Sequence, residues 1–177
     1  MKCRRPWATA FAVAAFSAAA AHGAPKAASA DVRFARKAAE AGMDEVEGGK
    51  LAHERASNDA VRAFGSRMVH DHSTADARLQ AIAASEGISL PRKLDKSGEQ
   101  DLDRLTKLKG HEFDTAYMKH NVTAHQKAVK DFAKEARTGH DAQLKRFAAE
   151  TLPTLKEHLR LAQSAAQAAG ATSSGTK

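Results

Sequence analysis

Apolar residues recur at steps of three and four along most of this chain, which is the period of amphipathic α-helices. Alanine, leucine and long charged side chains dominate, and no stretch alternates apolar and polar residues as a half-buried strand would. The pattern therefore predicts an all-α protein. Its cleanest apolar face is formed by Val61, Phe64, Met68, His72, Ala75, Leu79 and Ile82.

Turn and capping residues set the expected ends of four long helices. Asp31 and Asp141 are predicted N-caps, and Gly87 is a predicted C-terminal stop. Pro153 predicts a kink in the fourth helix, or a restart with Thr151 as a second cap. The four helices are expected at about residues 31–56, 59–86, 111–137 and 142–162.

The first helix has the least apolar inner face. Three glycines interrupt it, and each costs about 1 kcal/mol relative to alanine inside a helix. We therefore expect Gly42, Gly48 and Gly49 to mark a close approach between helices or a kink. The predicted inner residues are Phe34, Ala38, Ala41, Glu45, Gly49 and Ala52.

The connections between the helices differ in length. Those after the first and third helices are short, whereas about two dozen residues separate the second helix from the third. This segment contains a short helix, for which Ser97 and Gln100 form the expected capping box. A connection of this length can cross the bundle, so the second and third helices are predicted to run parallel. The expected fold is a ferritin-like four-helix bundle with a long crossover.

The first 23 residues have the composition of a signal peptide. Lys2, Arg4 and Arg5 precede an apolar, alanine-rich run, and small residues before position 24 would allow cleavage after Gly23. The run is too short to span a membrane. We expect an exported protein of the periplasm or cell envelope. The expected divisions are a leader at 1–23, a linker at 24–30, a helical domain at 31–162 and a disordered tail at 163–177.

Removal of this leader would change both charge and cysteine content. Cys3 is the only cysteine, so the processed chain would have no disulfide or thiolate chemistry. The formal net charge would fall from +7 to +4, because the leader holds three basic and no acidic residues. The other charges alternate in sign, as on a solvated helix surface. Nucleic-acid binding is not expected, while weak attraction to acidic envelope surfaces stays open.

Four residues that commonly bind metals lie on the predicted inner faces, one near the middle of each helix. They are Glu45, His72, His125 and His158. Mid-helix residues share one level of a bundle, so these side chains are predicted to reach one zinc, copper or iron ion. A hydrogen-bonded cluster without metal is the alternative, because buried polar groups need partners.

Other residues near these four could support the site. Asp114 could accept a hydrogen bond from a ligand or act as a further ligand. The thioethers of Met68 and Met118 would suit copper, although core filling is their commoner role. His120 and His140 are expected at the surface. The candidate supporting residues are Asp114, Tyr117, Asn121, Met68 and Met118.

Several short motifs, taken together, resemble the bacterial family called "domain of unknown function 4142". The resemblance covers about residues 31–162 and implies an exported protein with a ferritin-like bundle, but it implies no activity. The motifs are Glu45-Val46-Glu47, Gly49-Lys50-Leu51-Ala52, Met68-Val69-His70-Asp71-His72, Gly110 with Phe113-Asp114 and Tyr117, His125, and Leu152-Pro153 with His158-Leu159.

The chain departs from the di-iron pattern of ferritin-like enzymes. Those enzymes place a glutamate three residues before a ligand histidine, whereas Val69, Val122 and Leu155 occupy these positions here. The first hypothesis is therefore a non-enzymatic, exported binding or stress-associated protein whose inner cluster could hold one metal ion. The alternatives are a metal-dependent oxidase using the four inner residues and Asp114, and a purely structural, partner-binding bundle.

Overall fold

The computed structural model describes residues 27–173, which form five α-helices and no strand. The predicted all-α bundle with a short extra helix in its long connection is confirmed. The predicted signal peptide lies outside the described residues. The helices are α1 (Ser29–Arg55), α2 (Asp59–Glu86), α3 (Lys96–Thr106), α4 (Gly110–Thr138) and α5 (Ala142–Ser173).

The four long helices form two hairpins, α1–α2 and α4–α5, which pack against each other. Asp31, at the start of α1, binds the turn that follows α4, and Asp114, at the start of α4, binds the turn that follows α1. Hence α1 and α4 are antiparallel, and α2 runs parallel to α4. This is the arrangement that the length of the crossover predicted.

Two buried carboxylates hold these hairpins together. Asp31 Oδ2 accepts hydrogen bonds from the backbone nitrogens of His140 and Asp141, at 3.0 and 2.6 Å. Asp114 Oδ2 accepts from Ser57 Oγ at 2.6 Å and from the backbone nitrogen of residue 58 at 3.0 Å. Each carboxylate thus satisfies backbone donors near a helix start on the other hairpin. The predicted N-cap role of Asp31 in its own helix is wrong, since the α1 N-cap is residue 28.

The inner face of α1 is rotated by one residue in its first half. Ala35, Ala39 and Gly42 are buried there instead of the predicted residues 34, 38 and 41. Small side chains on several faces of α1 give a weak hydrophobic pattern, so the buried face depends on how the neighbouring helix packs against it. At Gly49 an added Cβ would lie 2.6 Å from the carbonyl oxygen of Gly65, which confirms a close approach between α1 and α2.

Two other predicted helix ends are wrong. The N-cap of α3 is Asp95, which accepts from the backbone nitrogen of Gly98 at 2.8 Å, so α3 starts before Ser97. α5 continues through Pro153 without a restart. Thr151 Oγ1 donates to the carbonyl of residue 147, so Thr151 is not the cap of a second helix.

The predicted disordered tail is also wrong for residues 163–173, which extend α5 to Ser173. Ala165 and Ala169 continue the three- and four-residue spacing of the buried face and pack in the core. Alanine is the best helix former, so a small-residue segment that looked unstructured forms three further turns against the α1–α2 hairpin.

Two apolar clusters fill the bundle. One contains Phe64, Met68, Phe113 and Met118, and the other contains Leu79, Phe132, Leu144, Phe147 and Leu155. The histidines at 72, 125 and 158 lie between residues of the two clusters along their helices. A polar layer therefore separates two apolar halves of the core.

We predict that Asp114→Ala lowers the free energy of unfolding by about 3 kcal/mol, because it removes a buried charged acceptor of several hydrogen bonds. Urea unfolding of the purified protein measures the change. Asp103→Ala, at an exposed position of α3, is the control and is expected to change stability by about 0.5 kcal/mol or less. Equal losses in both variants would contradict this role of Asp114.

A second prediction concerns Glu135, which is buried near the end of α4. Burial, together with nearby Asp31 and Asp141, raises its pKa from 4.5 to about 7. Between about pH 4.5 and 7, the folded state therefore keeps the Glu135 proton, whereas the unfolded state releases it. The stability that comes from this proton is fully present below about pH 4.5 and is lost as the pH rises through about 7.

Glu135→Gln cannot ionise, so its melting temperature should rise relative to the wild type as pH increases from 5 to 8. Thermal unfolding of both proteins across this range tests the sign. Glu54→Gln, at an exposed position, is the control. A difference between Glu135→Gln and wild type that is independent of pH would show that this carboxyl does not hold a proton in the fold.

Candidate metal centre

Three of the four predicted inner residues meet in the polar layer. His72 lies on α2, His125 on α4 and His158 on α5, and their ring centroids are 5.3 to 5.8 Å apart. One ring nitrogen from each histidine lies within 4.8 Å of the other two. His125 and His158 are each 1% exposed. These three side chains therefore lie at one level of the bundle.

The outward nitrogens of two rings are held by hydrogen bonds. His125 Nδ1 lies 3.0 Å from the backbone oxygen of Asn121, and His158 Nε2 lies 2.8 Å from Asp71 Oδ2. A carbonyl can only accept, so His125 carries its hydrogen on Nδ1. A carboxylate likewise accepts, so His158 carries its hydrogen on Nε2. The two rings are therefore held in opposite tautomers.

The inward nitrogens have no such partners. His72 Nε2, His125 Nε2 and His158 Nδ1 are buried and form no hydrogen bond with the described residues. Burying one unpaired polar atom is costly, and most buried polar groups in proteins are satisfied. One ring nitrogen from each histidine also lies within 4.8 Å of the other two, and three imidazoles this close together form a donor set suited to zinc, copper or iron.

Electrostatics keeps these three histidines neutral. Burial lowers the pKa of His72 to about 3, and the neighbouring rings of His125 and His158 lower it further. Burial lowers the pKa of His125 to about 4 against the opposing bond to the carbonyl of Asn121. Burial also lowers the pKa of His158, although Asp71 opposes the shift. Neutral imidazole is the form that binds metals.

Asp71 is a site residue that the sequence analysis did not identify. It directly precedes His72, and its side chain reaches α5 on the flank of α2 with 21% exposure. Burial alone would raise the pKa of Asp71, but hydrogen bonds from His158 and Arg67 outweigh burial and lower it. A carboxylate next to a candidate ligand, at the edge of the inner face, is the pattern that could have indicated it.

Glu45 lies outside the group of three histidines. Its Oε1 is 3.5 Å from His125 Nδ1, which is the outward nitrogen of that ring. Burial raises the pKa of Glu45 to about 8, partly opposed by His120. The predicted convergence of four side chains is therefore corrected to three histidines with Glu45 behind one of them. Counting residues along a helix predicts the level of the Glu45 side chain. It does not predict which side of the His125 ring this side chain approaches.

The other predicted supporting residues take different places. Asp114 is 11 residues before His125 on α4, about 16 Å away along the helix, and binds the α1–α2 turn instead. Asn121 supports the site through its backbone oxygen, while its side chain donates to the carbonyl of Tyr117 at 3.0 Å. The ring of Tyr117 stacks on Phe113 with centroids 5.4 Å apart.

Both candidate methionines belong to the apolar cluster above the polar layer. Met68 and Met118 are fully buried there, which agrees with the core-filling role.

The predicted surface position is wrong for His120, which is 20% exposed and places Nε2 2.9 Å from Asp44 Oδ2 on α1. It is right for His140, whose side chain is 75% exposed.

A protein-family model described as "Domain of unknown function (DUF4142)" matches residues 16–165, most of the chain. The chain belongs to the DUF4142 family. This confirms the resemblance found in the sequence. No curated protein matches this chain. No helix within residues 27–173 is long and apolar enough to cross a membrane.

Two solved structures of DUF305 proteins have a similar fold. A DUF305 fragment from Deinococcus radiodurans is 14% identical, with 81% of this chain and 99% of that chain covered and a TM-score of 0.71. A DUF305 protein from Streptomyces coelicolor that is described as secreted is 17% identical, with 80% and 94% covered and a TM-score of 0.67. At these identities the likeness shows the helical fold alone.

Proposed function

We propose that this DUF4142 protein is an exported helical bundle that binds a single transition-metal ion through His72, His125 and His158. Two observations on the described residues carry this proposal: each histidine has a buried ring nitrogen without a hydrogen-bond partner, and one ring nitrogen from each lies within 4.8 Å of the other two. Zinc, copper and iron are the candidate ions, because imidazole suits all three.

The spacing of the three nitrogens fits such an ion after a small adjustment. Bonds of about 2.0–2.1 Å place two nitrogens of a tetrahedral zinc centre about 3.3 Å apart. The nitrogens here lie within 4.8 Å of one another, so binding would draw them together by at most about 1.5 Å. Rotation of the imidazoles can supply this movement. Three protein ligands also leave a coordination position for water or another small ligand.

The donor set favours binding of one ion over a di-iron oxidase site and over a metal-free polar cluster. A di-iron oxidase needs several carboxylate ligands, whereas the group identified among residues 27–173 consists of histidines alone, with Glu45 beside an outward nitrogen. A metal-free polar cluster should pair its inward nitrogens with one another or with a carboxyl group. In the described part of the chain, the inward nitrogens of His72, His125 and His158 have no such pairing.

Export is supported by the signal-like composition of residues 1–23 and by the description of the Streptomyces coelicolor DUF305 protein as secreted. We expect the exported form to begin near Ala24, without Cys3 and Trp7. Intact-mass measurement of protein taken from the periplasm tests this expectation. A periplasmic form that retains residues 1–23 would contradict it.

Metal binding should appear as a rise in melting temperature when zinc, copper or iron is added to metal-free protein. An ion that binds only the folded state adds about 2.7 kcal/mol of stability at a hundredfold excess over its dissociation constant. His125→Ala and His158→Ala should abolish the rise, because each removes one of three ligands. Acidification should weaken it, since protonated imidazole cannot bind a metal.

His140→Ala is the matched control, because the His140 side chain is largely exposed and lies in the turn before α5. Elemental analysis of protein purified from its own compartment should find about one ion per chain. No thermal shift in the wild type, or an equal shift in His125→Ala, would refute the site.

A further inference from the structure

Asp71 and His72 are consecutive residues of α2 that serve the same site in different ways. We propose that Asp71 is the positioning residue for His158, fixing that ring so that Nδ1 faces the ion, while His72 and His125 bind through Nε2. This inference rests on the proposed function for the ion itself, but the orientation of His158 can be tested without metal.

The bond between Asp71 and His158 crosses from α2 to α5. It joins Asp71 Oδ2 to His158 Nε2 at 2.8 Å, within the range of a charge-assisted hydrogen bond. Because Nε2 is engaged, Nδ1 is the nitrogen left for an ion, and this atom is buried without a hydrogen-bond partner among the described residues. The ring itself is 1% exposed.

His125 shows the opposite arrangement. Its Nδ1 donates to the backbone oxygen of Asn121, and its Nε2 is buried and has no hydrogen-bond partner within residues 27–173. His125 is therefore oriented by its own helix, four residues back along α4, whereas His158 is oriented by a side chain from another helix. The resulting ligand set is asymmetric, with two Nε2 atoms and one Nδ1 atom.

Asp71 is itself held in place. Arg67 Nε donates to Asp71 Oδ2 at 3.0 Å from one turn earlier on α2, and Arg67 is about half exposed. The chain Arg67–Asp71–His158 thus runs from the surface to the three nitrogens. A carboxylate that accepts from the far nitrogen of a ligand histidine fixes the ring and raises its basicity, and removal of such a partner typically weakens metal binding about 10–100-fold.

Nitrogen-15 NMR of histidine-labelled, metal-free protein tests the orientation of His158 directly. The result expected is hydrogen on Nε2 and none on Nδ1, and added zinc should shift the Nδ1 resonance while the Nε2 hydrogen stays. A hydrogen on Nδ1 of His158, or a zinc-induced shift of its Nε2 alone, would overturn the proposal.

Zinc affinity of Asp71 variants tests the positioning role. Competition with a chromophoric chelator should show about 10–100-fold weaker binding in Asp71→Ala than in wild type, with partial rescue in Asp71→Glu. Asp131→Asn is the matched control, because Asp131 forms an equivalent pair with Lys127 on α4 at 2.8 Å and should leave the affinity unchanged.

The outcomes separate this inference from the proposed function. A purely structural Asp71 would lower the melting temperature of the metal-free protein and leave zinc affinity unchanged, which would overturn the positioning role. If the wild type binds no zinc, copper or iron, the proposed function fails. The tautomer of His158 in the metal-free protein then still decides whether Asp71 orients the ring.

Discussion

The reciprocal bonds of Asp31 and Asp114 fix how the two hairpins meet. Each carboxylate lies at the start of one hairpin and binds the turn of the other. Helices rise by about 1.5 Å per residue, so fixing both ends also fixes the level of every side chain between them. The coincidence of the three histidines at one level follows from this constraint, because α2 belongs to one hairpin and α4 and α5 to the other.

The polar layer works against the rest of the core. Apolar clusters pack on both sides of it, and a bundle optimised for stability alone would continue them through the middle. Instead, the layer buries three imidazole nitrogens that form no hydrogen bond with residues 27–173. Local departures of this kind from favourable packing are expected where a protein binds something. The hydrogen bonds of Asp31 and Asp114 at the two ends of the bundle fix the hairpins relative to each other and so keep this layer in place.

Much of the fold and three of the four inner residues were predictable, because helical periodicity reports both the face and the level of a side chain. It does not report the direction from which one side chain approaches another. The position of Glu45 beside the outward nitrogen of His125, and the hydrogen bond from Asp71 to α5, could therefore not be predicted from the sequence. Weak patterns also failed. Small residues left the face of α1 uncertain by one position, and the alanines near Ala165 extended α5 beyond its expected end.

The placement of the three histidines on both hairpins has a kinetic consequence. An ion held by His72 from one hairpin and by His125 and His158 from the other would act as a cross-link between them. Because two of the three rings are almost fully buried, local separation of the hairpins would help the ion to leave. The rate of metal exchange would then depend on opening of the bundle as well as on the strength of the metal–nitrogen bonds.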